Sequence, residues 1–467
     1  MHPDVPPAAS DGSHVPLNQP WYRLLNRSHW FVLIVAALGW LFDTMDQQLF
    51  TLARIPAMRD LLEKGAGGLV DGDQAKIYGA YATSIFIIGW ATGGLIFGVL
   101  GDRYGRARVM AWTILIYSMF TGLTAFSTSF WDFAVYRFLT GLGVGGEFAV
   151  GVALVAEVMP AKARPYALGL VQALSAVGNI AAGIISIIFG SLEQSQVLGN
   201  GWRWMFLVGA LPAILVLIIR RHLKEPETWQ RASEAQKASK APTLGSYSAL
   251  FDHPTWRRNA IVGLALASVG VVGLWGIGFF TVDLFDSVLR TRYADSDLST
   301  DQIDGRVAVW KGIVSMMMNV GAFFGIYCFA PVSQKIGRRP AFAMAFVAAG
   351  LTTAMVFAFL DSFTQVFWMV PLMGFCQLAL FGGYAIYFPE LFPTSLRSTG
   401  TSFCYNVGRF IAAAGPFALG QLMSKAFGNY DGVTQLRYAG MTMCSVFAIG
   451  LIALMFAPET KDQPLPE

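Results

Sequence analysis

Long apolar runs alternate along the chain with short polar segments. A membrane helix needs about 20 largely apolar residues. That ruler places spans near 30–50, 77–100, 109–127, 132–156, 166–190 and 203–220, and again near 258–282, 310–331, 341–360, 366–388, 399–424 and 438–457. A polar stretch at 221–257 separates the two sets, and within it Trp229–Ala241 reads as a charged amphipathic helix on the membrane surface. Residues 1–28, with Pro3, Pro6, Pro7 and Pro16 among Asp, Ser and Asn, read as a polar tail rather than a signal peptide. Residues 286–304, rich in Asp and Thr, read as a long outer loop between the seventh and eighth spans.

The two sets repeat at an offset of 232–233 residues. Gly98-Val-Leu-Gly-Asp102-Arg103-Tyr-Gly105-Arg106-Ala-Arg108, after the second span, is matched by Val332-Ser-Gln334-Lys335-Ile-Gly337-Arg338-Arg339 after the eighth. Glu157-Val-Met-Pro160-Ala-Lys-Ala-Arg164 is matched by Glu390-Leu-Phe-Pro393-Thr-Ser-Leu-Arg397, and Glu225-Pro226-Glu227-Thr228 by Ala457-Pro458-Glu459-Thr460. Three pairs in the same order make an internal repeat. The expected fold is an all-α membrane protein with twelve transmembrane helices in two pseudo-symmetric six-helix bundles. The bounds that follow are a tail at 1–28, a first bundle at 29–220, a linker at 221–257, a second bundle at 258–457 and a tail at 458–467.

Composition sharpens this picture. The chain is 55% hydrophobic and 13% charged, with a mean hydropathy of +0.51, whereas a soluble domain is about a quarter charged. A net charge of +4 leaves no polybasic surface for a nucleic acid. Of the 33 Lys and Arg, 20 fall on the side that holds the tails and linker and 11 on the other. This asymmetry predicts cytoplasmic termini in the inner cell membrane. His2, His14, His29, His222 and His253 all lie outside the apolar centres, so a proton carrier within the membrane has to be a carboxylate. Gly141-Leu-Gly143-Val-Gly145-Gly146 has dinucleotide-loop spacing but sits inside an apolar helix. There, with Gly89/Gly93 and Gly94/Gly98, it reads as close helix packing. Cys328, Cys376, Cys404 and Cys444 read as packing residues. Neither a metal nor an organic cofactor is expected.

Only Asp43, Asp46, Arg137, Glu147 and Arg409 carry charge well inside the spans, where an ion is costly and marks function by default. Asp43 and Asp46 are three apart on one helix face and at a depth close to that of Arg137. Arg137 therefore pairs with either or both, as a proton-coupling device or as a static ion pair. Glu147, ten residues beyond Arg137 and so about 15 Å deeper, is a second proton stop or a packing acid. Arg409 is near the midplane with Asn406 on the same face, and no acid matches its depth in the second half. A guanidinium so placed suits a carboxylate ligand; the alternatives are helix carbonyls or Glu147. Gln172, Asn179, Asn319, Gln377, Tyr384 and Tyr387 offer neutral contacts to the same cavity or interhelical bonds, and Trp275 and Phe279 an aromatic wall. Asp102, Arg103, Arg106, Arg108, Glu157 and Arg164 form either positive-inside anchors or a cytoplasmic gate whose charges pair when the halves close.

These residues resemble the major facilitator superfamily. Gly98–Arg108 is similar to its loop 2–3 signature, and Arg137–Glu147 to the helix-4 signature of its proton-coupled members. Asp43-Thr-Met-Asp46 resembles the first-span motif of aromatic-acid/proton symporters, with Thr44 in place of Gly, and the Pro-Glu-Thr endings resemble sugar porters. Span 7 lacks the paired glutamines of a sugar porter. The resemblance implies a monomeric secondary transporter, not an enzyme, that carries a small organic anion with protons by alternating access. In that reading Asp43, Asp46, Arg137 and Glu147 couple protons, and the proton is the coupling ion. A carrier of a neutral sugar or polyol, or a transporter-like sensor, are the alternatives.

Overall fold

The computed structural model describes residues 19–66, 72–194, 197–238, 244–294, 296, 300–412 and 414–466. Most of the N-terminal tail, and the parts of the linker and outer loop at 239–243 and 297–299, lie outside the described residues. Among the described residues every regular element is helical. The first half holds α1 (Arg27–Ala66), α2 (Gly72–Tyr104), α3 (Arg106–Thr124), α4 (Phe130–Val158), α5 (Arg164–Gln194), α6 (Gly201–Gly209) and α7 (Ala213–His222). Two short helices follow, α8 (Glu227–Lys237) and α9 (Tyr247–Asp252). The second half holds α10 (Pro254–Val271), α11 (Thr281–Tyr293), α12 (Thr300–Ile336), α13 (Arg338–Phe359), α14 (Phe363–Glu390), α15 (Arg397–Ala412), α16 (Gly415–Gln421), α17 (Gly432–Met443) and α18 (Val446–Leu454).

Nine helical stretches among the described residues are long and apolar enough to cross a bilayer. The other three spans read from the sequence are helical but shorter or interrupted. These are α3, the α6/α7 pair that breaks before Pro212, and the α15/α16 pair that breaks before Pro416. The long loop expected at 286–304 is a correction: α11 runs to Tyr293 and α12 begins at Thr300. Its charges explain this, since Arg290 pairs with Asp286 one turn away at 2.8 Å and Lys311 reaches Asp286 from α12 at 3.1 Å.

The internal repeat recurs in the packing. Gly105 (φ 109°) and Gly337 (φ 100°) make the same turn, in a conformation other residues avoid. Ser129 with Asp132 and Ser362 with Gln365 form the same capping box at the starts of α4 and α14. Gly89 and Gly93 lie against the backbone of Phe138 and Leu142, as Gly321 and Gly325 lie against Pro371 and Phe375. No side chain fits at these crossings, so α2–α4 and α12–α14 pack backbone to backbone.

The halves meet along α2–α15 and α5–α12. The end that carries the Gly105 and Gly337 turns is here termed the latch end. Ala173 and Ala176 pack on Ala322 and Ile326 towards the middle of α5 and α12, and nearer the latch end a Cβ at Gly169 would sit 3.3 Å from that of Ala330.

Candidate functional site

At the latch end, buried charges join the two halves. Arg106 pairs with Asp102 and Glu157, both at 3.0 Å, and donates to the Thr394 carbonyl across the interface at 2.6 Å. Glu157 also takes Arg397 of the second half at 2.7 Å. Asp102 caps the start of α15, accepting from the amides of Ser398 (3.1 Å) and Thr399 (2.8 Å) and from the Thr399 hydroxyl (2.6 Å). A carboxylate at a helix N-terminus is favoured both by the free amides and by the helix dipole. Asp102, Arg106 and Glu157 are thus brought together as the gate reading requires. Arg103 departs from it, whereas Arg164 lies among Glu157 and the second-half charges Glu390, Arg397 and Arg338. Arg103 donates to the linker carbonyls of Leu244 and Gly245, and Arg164 has a buried Nε without a partner.

The third repeat pair explains its own acids. Glu225 accepts from the amides of Ala107 and Arg108 at 3.1 and 3.0 Å, and Glu459 from those of Arg338 and Arg339 at 2.8 and 3.0 Å. Each caps the helix after a glycine turn. The sequence pairs Glu459 with Glu227; its working counterpart is Glu225, one residue before the proline. Burial opposes ionisation of Glu459, but four backbone amides outweigh it and hold its carboxyl below the ordinary range.

Deeper in the first half, Asp46 and Arg137 form a closed knot. Asp46 Oδ2 lies 3.6 Å from Arg137, and Oδ1 accepts from Thr121 at 2.7 Å. Arg137 also donates to Thr124 (2.9 Å) and Thr140 (3.0 Å) and stacks on Phe50 and Phe206. Asp43 is not part of it. Both its oxygens are buried without a hydrogen-bond partner, and it feels the charges of Glu147, Asp46 and Arg409. Three residues turn a helix by about 300°, enough to aim Asp46 at α3 and α4 and Asp43 elsewhere. Glu147 is likewise buried with both oxygens unpartnered, pressed so closely on α1 that a Cβ at Gly39 would collide with it.

Arg409 joins the halves. Its guanidinium lies 3.8 Å from the Trp90 ring of α2 and 4.3 Å from Tyr405. It donates to Asn406 at 2.6 Å, and its buried Nε has no partner. Among the described residues it makes no ion pair, with Glu147 or any other acid. Tyr405 stacks on Phe148 at 4.0 Å, Phe148 meets Trp40 at 4.9 Å, and Trp275 meets Trp90 at 6.4 Å. Buried polar atoms without protein partners include the indole nitrogens of Trp40 and Trp90, the Gln47 amide nitrogen, Gln172 Oε1 and the Tyr117 hydroxyl. A buried, aromatic-flanked cluster of one cation, two acids and open polar atoms has the chemistry to hold a small anion.

Several residues expected at the site are engaged by protein partners. Asn179 donates to Asn319 at 2.9 Å, a bond between α5 and α12. Tyr384 donates to the Leu266 carbonyl at 2.6 Å within a stack on Phe342 and Phe388, and Gln377 to Gly273 and Thr353. Tyr387 bonds the Pro458 carbonyl near the latch end. These residues tie helices together in this structure, because each finds a backbone or amide acceptor within its own packing shell. The side chain of Phe279 lies outside the described residues. Trp40, Trp90, Phe148 and Tyr405 were missed from sequence, although Trp40 and Tyr405 stand one turn from Asp43 and Arg409.

A family model described as sugar (and other) transporter matches residues 52–245 and 268–462. The chain belongs to this family. That makes it a membrane transporter of the major facilitator superfamily rather than an enzyme. A probable 4-methylmuconolactone transporter of Cupriavidus pinatubonensis is 31% identical over 94% of the chain and 93% of its own length. A cis,cis-muconate transport protein of Acinetobacter baylyi is 27% identical over 82% and 85%. Among solved structures, the proton:xylose symporter XylE bound to 6-bromo-6-deoxy-D-glucose has a TM-score of 0.67 at 16% identity, covering 94% of this chain and 97% of that one. At that identity the likeness concerns the fold of the family.

Proposed function

We propose that the chain carries a small organic acid anion across the membrane together with protons, by alternating access. Arg409 carries the reading: a buried guanidinium with an open Nε, held between two aromatic faces, takes a planar carboxylate by its fork. The relatives named for methylmuconolactone and muconate support the same substrate class. A neutral sugar would leave Arg409 without a counter-charge.

In this proposal the coupling proton rides on Asp43 and Glu147, while Asp46 and Arg137 hold the first half together. Two buried carboxylates without hydrogen-bond partners are too costly to keep both ionised in a dry site, so they share a proton until substrate or solvent arrives. The latch of Asp102, Arg106, Glu157 and Arg397 is then the closed gate on the cytoplasmic side, and Gln172, buried with an open Oε1, is assigned to the anion site. The wider frame is proposed with it: twelve spans in two six-helix bundles at 29–220 and 258–457, a 221–257 linker, both termini cytoplasmic, the cell membrane as location, a monomer, and no cofactor but the proton.

Proteoliposomes loaded with the purified chain test this. Labelled cis,cis-muconate should accumulate when an inward proton gradient is imposed, and xylose should not. Asp43→Asn should abolish gradient-driven accumulation while muconate exchange at equal pH survives. Accumulation of muconate by Asp43→Asn and by Glu147→Gln at the parent rate would defeat the proton assignment. Uptake of xylose but not muconate would defeat the anion reading.

A further inference from the structure

One face of α15 forms a polar ladder against α2. Ser398 and Thr399, Ser402, Asn406 and Arg409 recur every three or four residues and so lie on one stripe. On the antiparallel α2, at the same spacing, stand Asp102, Gly98, Gly94 and Trp90, and every rung is occupied. Asp102 holds Ser398 and Thr399. Gly98 faces Ser402, whose Cβ lies 2.5 Å from where a glycine Cβ would stand. The Ser402 hydroxyl donates to the Gly94 carbonyl. The Asn406 amide donates back to Ser402, at 3.1 Å to its carbonyl and 3.0 Å to its hydroxyl, and the Asn406 Oδ1 accepts from Arg409 at 2.6 Å. Trp90 closes the series over Arg409. Ser402 and Asn406 are fully buried.

We propose that Ser402 and Asn406 are positioning residues that tie the aim of Arg409 to closure of the latch end. This rests on the reading of Arg409 as the anion site and of the Asp102 cluster as a gate. When α2 leaves α15, the Ser402 hydroxyl loses its acceptor in a setting where an unmet donor is costly. The Asn406 amide, which donates to that hydroxyl while the hydroxyl points at Gly94, loses its hold with it. Asn406 then gives up Arg409 as the Trp90 ring withdraws. The guanidinium is held in one aim only while the latch is closed, so grip on the anion weakens as the exit opens.

The test uses the full chain in nanodiscs with its native cysteines replaced and spin labels at Lys162→Cys and Lys335→Cys. These positions are exposed at the latch end, one in each half. Without any anion, Ser402→Ala and Asn406→Leu should each raise the latch-open fraction about threefold to tenfold, the range for one lost hydrogen bond. The double variant should exceed neither, as coupled residues do. Additive effects, a shift in only one variant, or no shift overturns the proposal. In a second arm, saturating cis,cis-muconate should move the label distances of the parent and not those of Asn406→Leu; equal movement in both also overturns it. Absence of muconate binding to the parent counts against the substrate class, while the ligand-free cycle still decides the ladder. Should Asn406→Leu fail to fold, Asn406→Ser takes its place.

Discussion

Asp43 and Asp46 differ by one turn of helix and by everything that surrounds them. Asp46 has Arg137 and Thr121; Asp43 has no hydrogen-bond partner. Removing one member of a buried ion pair costs about 3–5 kcal/mol, so Asp46→Ala should lower the melting temperature sharply, read by thermal unfolding in detergent. Asp43→Asn should unfold near the parent temperature and lose coupling instead. Arg409→Lys keeps the charge but loses the fork and the stacking on Trp90 and Tyr405. Anion affinity should then fall about tenfold or more, measured by isothermal titration with cis,cis-muconate. The rarity of charge inside apolar spans made all five in-span ions legible in the sequence. Their partners were not, because Asp43 and Asp46 look equivalent on one face until the neighbouring helices are placed. With aromatic residues at 14% of the chain, nothing in the sequence singles out Trp90 or Tyr405.

At the scale of elements, the repeat was readable because turn and cap chemistry is local: a glycine before an arginine-rich helix start, an acid before a proline. What local signals could not give is which acid of Glu225-Pro-Glu227 turns back onto α3, a choice set by how the chain leaves α7. The caps carry a pH dependence. Glu459 is held below the ordinary Glu value of 4.5, so its contribution is fully present above that value and lost as pH falls through the lowered one. Glu459→Gln should therefore destabilise the chain at pH 7 and flatten the acid limb of its stability profile, followed by tryptophan fluorescence. The α2–α4 crossing has no such tolerance. At Gly93 a side chain would meet the Leu142 backbone, and Gly93→Val should cost about 1–3 kcal/mol by overpacking and reduce the yield of monodisperse protein.

For the whole molecule, Asp102 and Glu157 are latch-end carboxylates that touch both halves, Asp102 through Arg106 and the start of α15 and Glu157 through Arg106 and Arg397. Glu157→Gln should open that end, raising the labelling rate of a cysteine placed at Ser395 beside the interface; an unchanged rate would make the cluster an anchor rather than a gate. Long-range pairings such as Glu157 with Arg397 are invisible in the sequence, where 240 residues separate them. The return of Glu225 to α3 and of Glu459 to α13 has a further consequence. Each half ends by binding its own third helix, so each is stitched shut without the other, and the covalent tie between them is dispensable for assembly. Two separately translated chains, 1–237 and 244–467, should therefore find one another in the membrane and restore transport that neither supports alone.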